Sequence, residues 1–319
     1  MRVTRIDAFD MNFEECAVAR KYKLSTSGIG EKRIYVGHDE ALLDDFFDLE
    51  NIESFILLKK DLQKYLVEAR EEFENPVQEY AQDISQYYEE NVTNTNAIVD
   101  DIINIHFIKK YDSQHRYYLN FRDRDSSSNW DYLRNIALPR VTKLNFVKVR
   151  NVDNNKLYIY IKPSFFMDER EIEERVDVED LLAGNRQAVE NRRRGQAQWR
   201  RELLDIMPAC VITKVTEDRI LEACHIKPHS VSLSEGHNEE LVDKNNGLIM
   251  TPTYHKLFDM GFISFNDNGT ILISPFLSNM NKQRLGLEDN HQYRIPRDCS
   301  QYLAYHRANV YNQIPDLQL

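Results

Sequence analysis

Hydrophobic spacing divides the chain into segments of different character. The first 37 residues read as short strands and turns, Val3 to Phe9 and then Arg33 to Val36 after the Ser27-Gly28-Ile29-Gly30 turn. From Glu40 to about Tyr88 the apolar residues fall at helical intervals. Phe55, Leu58, Leu62, Tyr65, Leu66 and Ala69 predict one helix of roughly 20 residues. Pro76 opens a second helical run carrying Tyr80, Ile84 and Tyr87. Both have acidic polar faces, which read as solvated surface or as a docking face for a basic protein partner.

Residues 104–164 are β-rich: Ile105 to Ile108, Tyr117 to Phe121, Leu144 to Val149 and Leu157 to Ile161. Arg116, Arg122, Arg124, Arg134, Arg140, Lys143, Lys148 and Arg150 are interleaved with these strands. Such a pattern suits phosphate contact with base stacking, and equally the polar face of a half-buried sheet. A charged run over 166–190 reads as a linker or solvated helix. A helix around Trp199, Leu203 and Leu204 follows Arg192-Arg193-Arg194.

Beyond it the pattern predicts strands at Cys210 to Thr213 and Leu221 to Ile226, a polar loop from Lys227 to Leu241 and a strand at Leu248 to Met250. A helix starts at Thr251 or Thr253. The Asn266-Asp267-Asn268-Gly269 turn then joins a hairpin, Phe262 to Phe265 with Thr270 to Ser274. The expected class is α+β, with an N-terminal domain over 1–165, the linker over 166–190 and a C-terminal domain over 191–319.

Composition narrows the setting. A length of 319 residues suggests about two domains, and 42% hydrophobic content supplies cores that a disordered chain lacks. No apolar run is long enough to span a membrane. The N-terminus shows no apolar segment with a cleavage site, so secretion is not expected. Cys16, Cys210, Cys224 and Cys299 are scattered without a CxxC pair, which suits a reducing cytoplasm and argues against a structural zinc. The net charge of −11 opposes bulk binding to nucleic acid, but it is unevenly placed. Residues 1–100 hold 11 Lys and Arg against 22 Asp and Glu, whereas residues 101–165 hold 12 against 6. A local basic face remains available for phosphate.

Candidate chemistry lies in the C-terminal part. His225 sits near a strand end, Asn246 precedes Gly247 in a loop, and His255 lies on a helix, 21 and then 9 residues apart. Phosphodiester hydrolysis needs a base that works near neutral pH and a cation that neutralises developing charge. A strand-end histidine facing a helix-borne metal ligand meets both needs. His255 and Asp259 stand at i and i+4 on one helical face. Asn246 is suited to brace a loop through its amide. His229 and His237 read as surface residues of the polar loop.

These residues and their surroundings resemble the HNH endonucleases of the ββα-metal group, most closely the branch found among restriction and defence nucleases. The resemblance covers about Arg194 to Tyr311. It runs through Trp199-Arg200, Cys210-Val211-Ile212-Thr213, Glu222-Ala223-Cys224-His225-Ile226-Lys227-Pro228, Asn246-Gly247-Leu248, His255-Lys256-Leu257-Phe258-Asp259 and Tyr302 to Arg307. It implies a C-terminal ββα-metal domain in which His225 is the general base, Asn246 the loop brace and His255 a metal ligand. Asp259 falls where some members carry a further ligand. The implied cofactor is a divalent ion, Mg²⁺ or Mn²⁺ first, with Zn²⁺ or Ni²⁺ as alternatives. The implied substrate is double-stranded DNA, cut by a homodimer if each domain cleaves one strand. Cys224 departs from the pattern, because many members place Asp or His there. It is either a small residue filling the strand or a ligand for a softer ion, and Glu222 shares its strand face. Two other readings stay open: a regulated defence effector whose N-terminal half senses a partner, and an inert DNA-binding module.

Overall fold

A computed structural model describes residues 3–15, 17–24, 32–111, 116–166, 185–315 and 317. The chain divides into two compact units, Met1–Phe166 with Ile314–Leu319, and Met167–Gln313. The Ser27 to Gly30 turn and most of the charged run at 166–190 lie outside the described residues. Among those described, no helix is long and apolar enough to cross a membrane.

In chain order the first unit contains β1 (Val3–Asn12), β2 (Ile34–Gly37), α1 (Glu40–Phe47), β3 (Ile52–Leu58), α2 (Lys59–Glu74), α3 (Tyr88–Asn96) and β4 (Ile102–Ile105). β5 (Phe107–Tyr111), β6 (Tyr117–Phe121), α4 (Arg124–Arg134), β7 (Thr142–Asn151) and β8 (Leu157–Phe165) follow. A five-stranded sheet has the order β1-β7-β8-β3-β4, and a three-stranded sheet the order β2-β6-β5. β3 runs parallel to β8 and the other pairs are antiparallel.

Several expectations change here. Phe55 and Leu58 belong to β3, not to the helix that follows. Ile52, Phe55, Ile56, Leu57 and Leu58 are all buried, because β3 is flanked by β8 and β4 and covered on both faces. Such a continuous apolar run does not distinguish strand from buried helix by periodicity. Leu62, Tyr65, Leu66 and Ala69 do line the buried side of α2. Pro76 opens no helix. Instead, buried Glu72 accepts hydrogen bonds from the backbone N–H groups of Val77 and Gln78 (3.0 and 3.3 Å) and from the Tyr80 hydroxyl (3.0 Å). These donors are satisfied without helical turns, and helix resumes only with a 3-10 turn at Ser85–Tyr87 that leads into α3.

The Ile105–Ile108 segment breaks at His106 and serves both sheets. α4 escaped a periodicity reading because its first half is polar. It is capped by Asp123, which accepts from the Ser126 N–H at 2.7 Å, and it buries Trp130 and Leu133. Of the basic residues here, Lys148 donates to the Asp45 carbonyl and pairs with Asp48, and Arg134 donates to the carbonyls of Ala17 and Val18. Those two hold the unit's own frame.

The second unit contains α5 (Arg186–Ile206), β9 (Glu222–His225), α6 (His229–Ser234), β10 (Gly247–Met250), α7 (Pro252–Asp259), β11 (Ile263–Phe265), β12 (Ile271–Ile273), α8 (Asn279–Arg284) and α9 (Ser300–Asn309). β9 pairs antiparallel with β10, and β11 with β12. Cys210 to Thr213 is a turn, not a strand. The Cys210 sulfur accepts from the N–H groups of Thr213 (3.3 Å) and Thr251 (3.4 Å), which ties that turn to the start of α7. α6 occupies part of the expected polar loop, and His229 is buried rather than superficial, whereas His237 is exposed.

α9 is fastened through buried His306. Its Nε2–H donates to the Phe258 carbonyl at 3.1 Å, so Nδ1 accepts from the Ser264 hydroxyl at 2.9 Å. Burial dominates and lowers its pKa from 6.5 to about 4. As pH falls from 6.5 towards 4, the unfolded chain takes a proton that the folded chain refuses. The stability is therefore kept above 6.5 and lost across that window, by about 3 kcal/mol. His306→Gln is expected to flatten this part of the pH dependence in urea unfolding of the C-terminal unit. An unchanged slope would contradict the assignment.

Candidate active site

β9 carries His225, Asn246 directly precedes β10, and α7 carries His255 and Asp259, with α6 and its loops lying between β9 and β10 in sequence. In the ladder His225 faces Gly247, Cys224 faces Leu248 and Glu222 faces Met250. After one residue, Thr251, the chain enters α7, with Pro252 in the first turn where its missing N–H costs nothing.

His225 is held by backbone and by an aromatic ring. Its Nε2 lies 3.1 Å from the Leu241 carbonyl. A carbonyl only accepts, so Nε2 carries the proton and Nδ1 keeps its lone pair. The Trp199 ring stacks on the imidazole with centroids 4.0 Å apart and planes 11° from parallel, and the Trp199 Nε1–H donates to the Asp243 carbonyl at 2.9 Å. Buried His229 packs edge-on at 5.5 Å. Burial is the main reason that the His225 pKa falls to about 4, which keeps the ring neutral near pH 7. Asp259 and His255 are close enough to act on its charge in opposite directions.

Trp199 and Leu203 reach the site because Gly247 has no side chain. A Cβ there would lie 2.6 Å from Trp199 Cζ2 and 2.5 Å from Leu203 Cδ1. Gly247→Ala is thus expected to cost about 1–3 kcal/mol through overpacking and to displace Trp199 from His225. Near-ultraviolet circular dichroism and a thermal melt read both effects. An unaltered tryptophan signal would show that α5 yields without disturbing the stack.

Asn246 is wholly buried. Its Oδ1 accepts the Lys227 N–H at 2.7 Å, and its Nδ2 donates to the carbonyls of Lys227 (3.3 Å) and Glu240 (3.1 Å). The amide therefore clamps both ends of the segment that contains α6. The same segment is closed by Lys227, whose ammonium lies 2.7 Å from Glu235 and from Glu240. The acidic group of Glu235, His237 and Glu240 is a set with metal-ligand chemistry, but the Lys227 ammonium already pairs with both of its carboxylates.

His255 bridges two carboxylates. Nδ1 lies 2.8 Å from Glu222 Oε2 and Nε2 lies 3.1 Å from Asp259 Oδ2. Burial disfavours the imidazolium, but Asp259 and then Glu222 outweigh it, and the pKa is raised. Cys224, fully buried, directs its thiol to Asp259 Oδ1 at 3.5 Å. Donor atoms of Cys224, His255 and Asp259 all lie within 4.8 Å of one another. One thiol, one imidazole and one carboxylate at that spacing fit a divalent ion.

Residues 210–266 match the family described as HNH endonuclease. The second unit carries an HNH endonuclease domain. The matched segment of this HNH domain includes β9, β10 and α7 with His225, Asn246, His255 and Asp259, while Trp199 and the α9 landmarks lie outside it. No curated protein matches the chain.

Spacing thus brought His225, Asn246, His255 and Asp259 into one neighbourhood of the HNH domain. It missed Trp199 and the Leu241 carbonyl as partners of His225, and left Glu222 unassigned. Trp199 carried a signal as the one aromatic residue in the sequence of α5; the Leu241 carbonyl carried none, since any residue supplies one.

Proposed function

We propose that the chain is a metal-dependent DNA endonuclease working in the cytoplasm in restriction or antiphage defence. The observation that carries this reading is a neutral imidazole of fixed tautomer, His225, beside the Cys224–His255–Asp259 donor set in a domain of the HNH family. Nδ1 of His225 accepts a proton from water as the oxygen attacks phosphorus. The bond from phosphorus to the 3′ oxygen breaks and that oxygen takes a proton from solvent, leaving a 5′-phosphate and a 3′-hydroxyl. A bound divalent ion supplies neutralisation of the charge that develops on the phosphate and the departing oxygen. Asn246 keeps the loop that presents Leu241 in place, and Leu241 holds the tautomer of His225. The first unit serves as the reader of DNA or of a protein partner, and cutting both strands calls for two copies.

Plasmid DNA, methylated and unmethylated, incubated with each divalent ion tests the reading. Nicked and linear products that DNA ligase reseals are expected, and fixed fragments rather than a smear would point to sequence recognition. Inactivity with every ion on both substrates would remove the restriction reading. It would leave a regulated effector or an inert DNA binder.

A further inference from the structure

We propose that Cys224 is a metal ligand of this domain. With His255 and Asp259 it forms a sulfur, nitrogen and oxygen donor set that selects a thiophilic ion such as Zn²⁺ or Co²⁺ over Mg²⁺. The inference rests on the nuclease reading for the reaction, and deepens it by naming the class of ion.

The frame matches strand to helix. Glu222 and Cys224 are two residues apart on one face of β9, a rise of about 6.6 Å. His255 and Asp259 are four apart on α7, a rise of about 6 Å. The two rows meet in register, Glu222 against His255 and Cys224 against Asp259. Glu222 takes Nδ1 of His255, which leaves Nε2 turned to Asp259, in the manner of a carboxylate that orients a metal-binding imidazole.

The Cys224 sulfur points at a carboxylate although the residue is fully buried. The separations suit coordination. On a tetrahedral ion with bonds of about 2.3 Å to sulfur and about 2.1 Å to oxygen, the two ligand atoms lie about 3.6 Å apart. The observed distance from Cys224 Sγ to Asp259 Oδ1 is 3.5 Å. His255 Nε2 lies 3.1 Å from the other oxygen of the same carboxylate, Oδ2, and one donor atom from each of the three side chains falls within 4.8 Å of the others. Binding replaces the S–H bond of Cys224 with a sulfur–metal bond and the Nε2–H bond of His255 with a nitrogen–metal bond, and both protons pass to solvent. Mg²⁺ requires oxygen ligands in a near-octahedral array, whereas thiolate favours softer ions.

Titration of the full chain with Co²⁺, followed by absorption, is the test. An intense sulfur-to-cobalt charge-transfer band should appear in the near ultraviolet and saturate at one ion per chain. It should vanish in Cys224→Ser, a substitution of nearly equal volume, and persist in His225→Ala. Zn²⁺ should abolish the band, and a large excess of Mg²⁺ should not. Affinity for Zn²⁺ should fall in Cys224→Ser by more than the roughly 10–100-fold that loss of an outer partner costs. Stoichiometric binding without the band, a band retained in Cys224→Ser, or displacement by Mg²⁺ would overturn the proposal. Wild-type cleavage rates by Cys224→Ser with Mg²⁺ would overturn it too, and leave the nuclease reading standing. The band without DNA cleavage under any ion would support the ligand set while removing the restriction reading.

Discussion

His225→Ala is expected to lower DNA cleavage by about 10²–10⁴-fold while leaving metal binding intact. The scale follows from removing a general base whose geometry is preset. Nε2–H on the Leu241 carbonyl fixes the tautomer, Trp199 fixes the ring plane, and burial keeps the imidazole neutral. None of these restraints is a donor in the Cys224–His255–Asp259 set, so the variant should bind metal as the wild type does. Cleavage rates under saturating DNA, with metal affinity measured in parallel, separate the two. A variant that cuts within about tenfold of wild type would show that water is activated elsewhere. One that loses metal affinity would show that His225 acts as a ligand.

Asn246→Asp should be more damaging to folding than its size suggests, costing about 3–5 kcal/mol. The replacement keeps an oxygen facing the Lys227 N–H. It also puts a second oxygen where Nδ2 donated to the carbonyls of Lys227 and Glu240, so a carboxylate would be buried against two acceptors. Asn246→Ala removes the repulsion but leaves those backbone groups without partners, at about 1–3 kcal/mol for each orphaned group. Activity should fall along with stability, because Leu241 directly follows Glu240 and its carbonyl sets the His225 tautomer. Urea unfolding measures the first effect and cleavage at low temperature the second. If Asn246→Asp unfolds at the wild-type midpoint, the amide is not the brace of this loop.

These effects concentrate in a segment that could be read from sequence. Strands β9 and β10 and helix α7 lie where their patterns put them, although α6 interrupts the loop between the strands, and the Thr251-Pro252 start of α7 and the i, i+4 pair of His255 and Asp259 follow local rules. Where local rules were ambiguous, reading failed. The β3 run was indistinguishable from a buried helix until β8 and β4 flanked it. Cys210 to Thr213 looked like a strand, yet its backbone closes a turn around the cysteine sulfur. His229 looked like loop surface because nothing near it in sequence shows that His225 lies against it.

By itself, the sequence determined which side chains could serve as base, brace and ligands, since residue type and short-range spacing set those chemical options. Only the tertiary structure decided how each one is tuned. The neutral state of His225 depends on burial beneath a helix that precedes it by more than a dozen residues, through Trp199 and the bare backbone of Gly247. The division of labour around His255, Glu222 on Nδ1 and Asp259 on Nε2 with Cys224 beyond, depends on a strand and a helix meeting in register. Charge and protonation respond to distance and dielectric, and those exist only once the chain has folded.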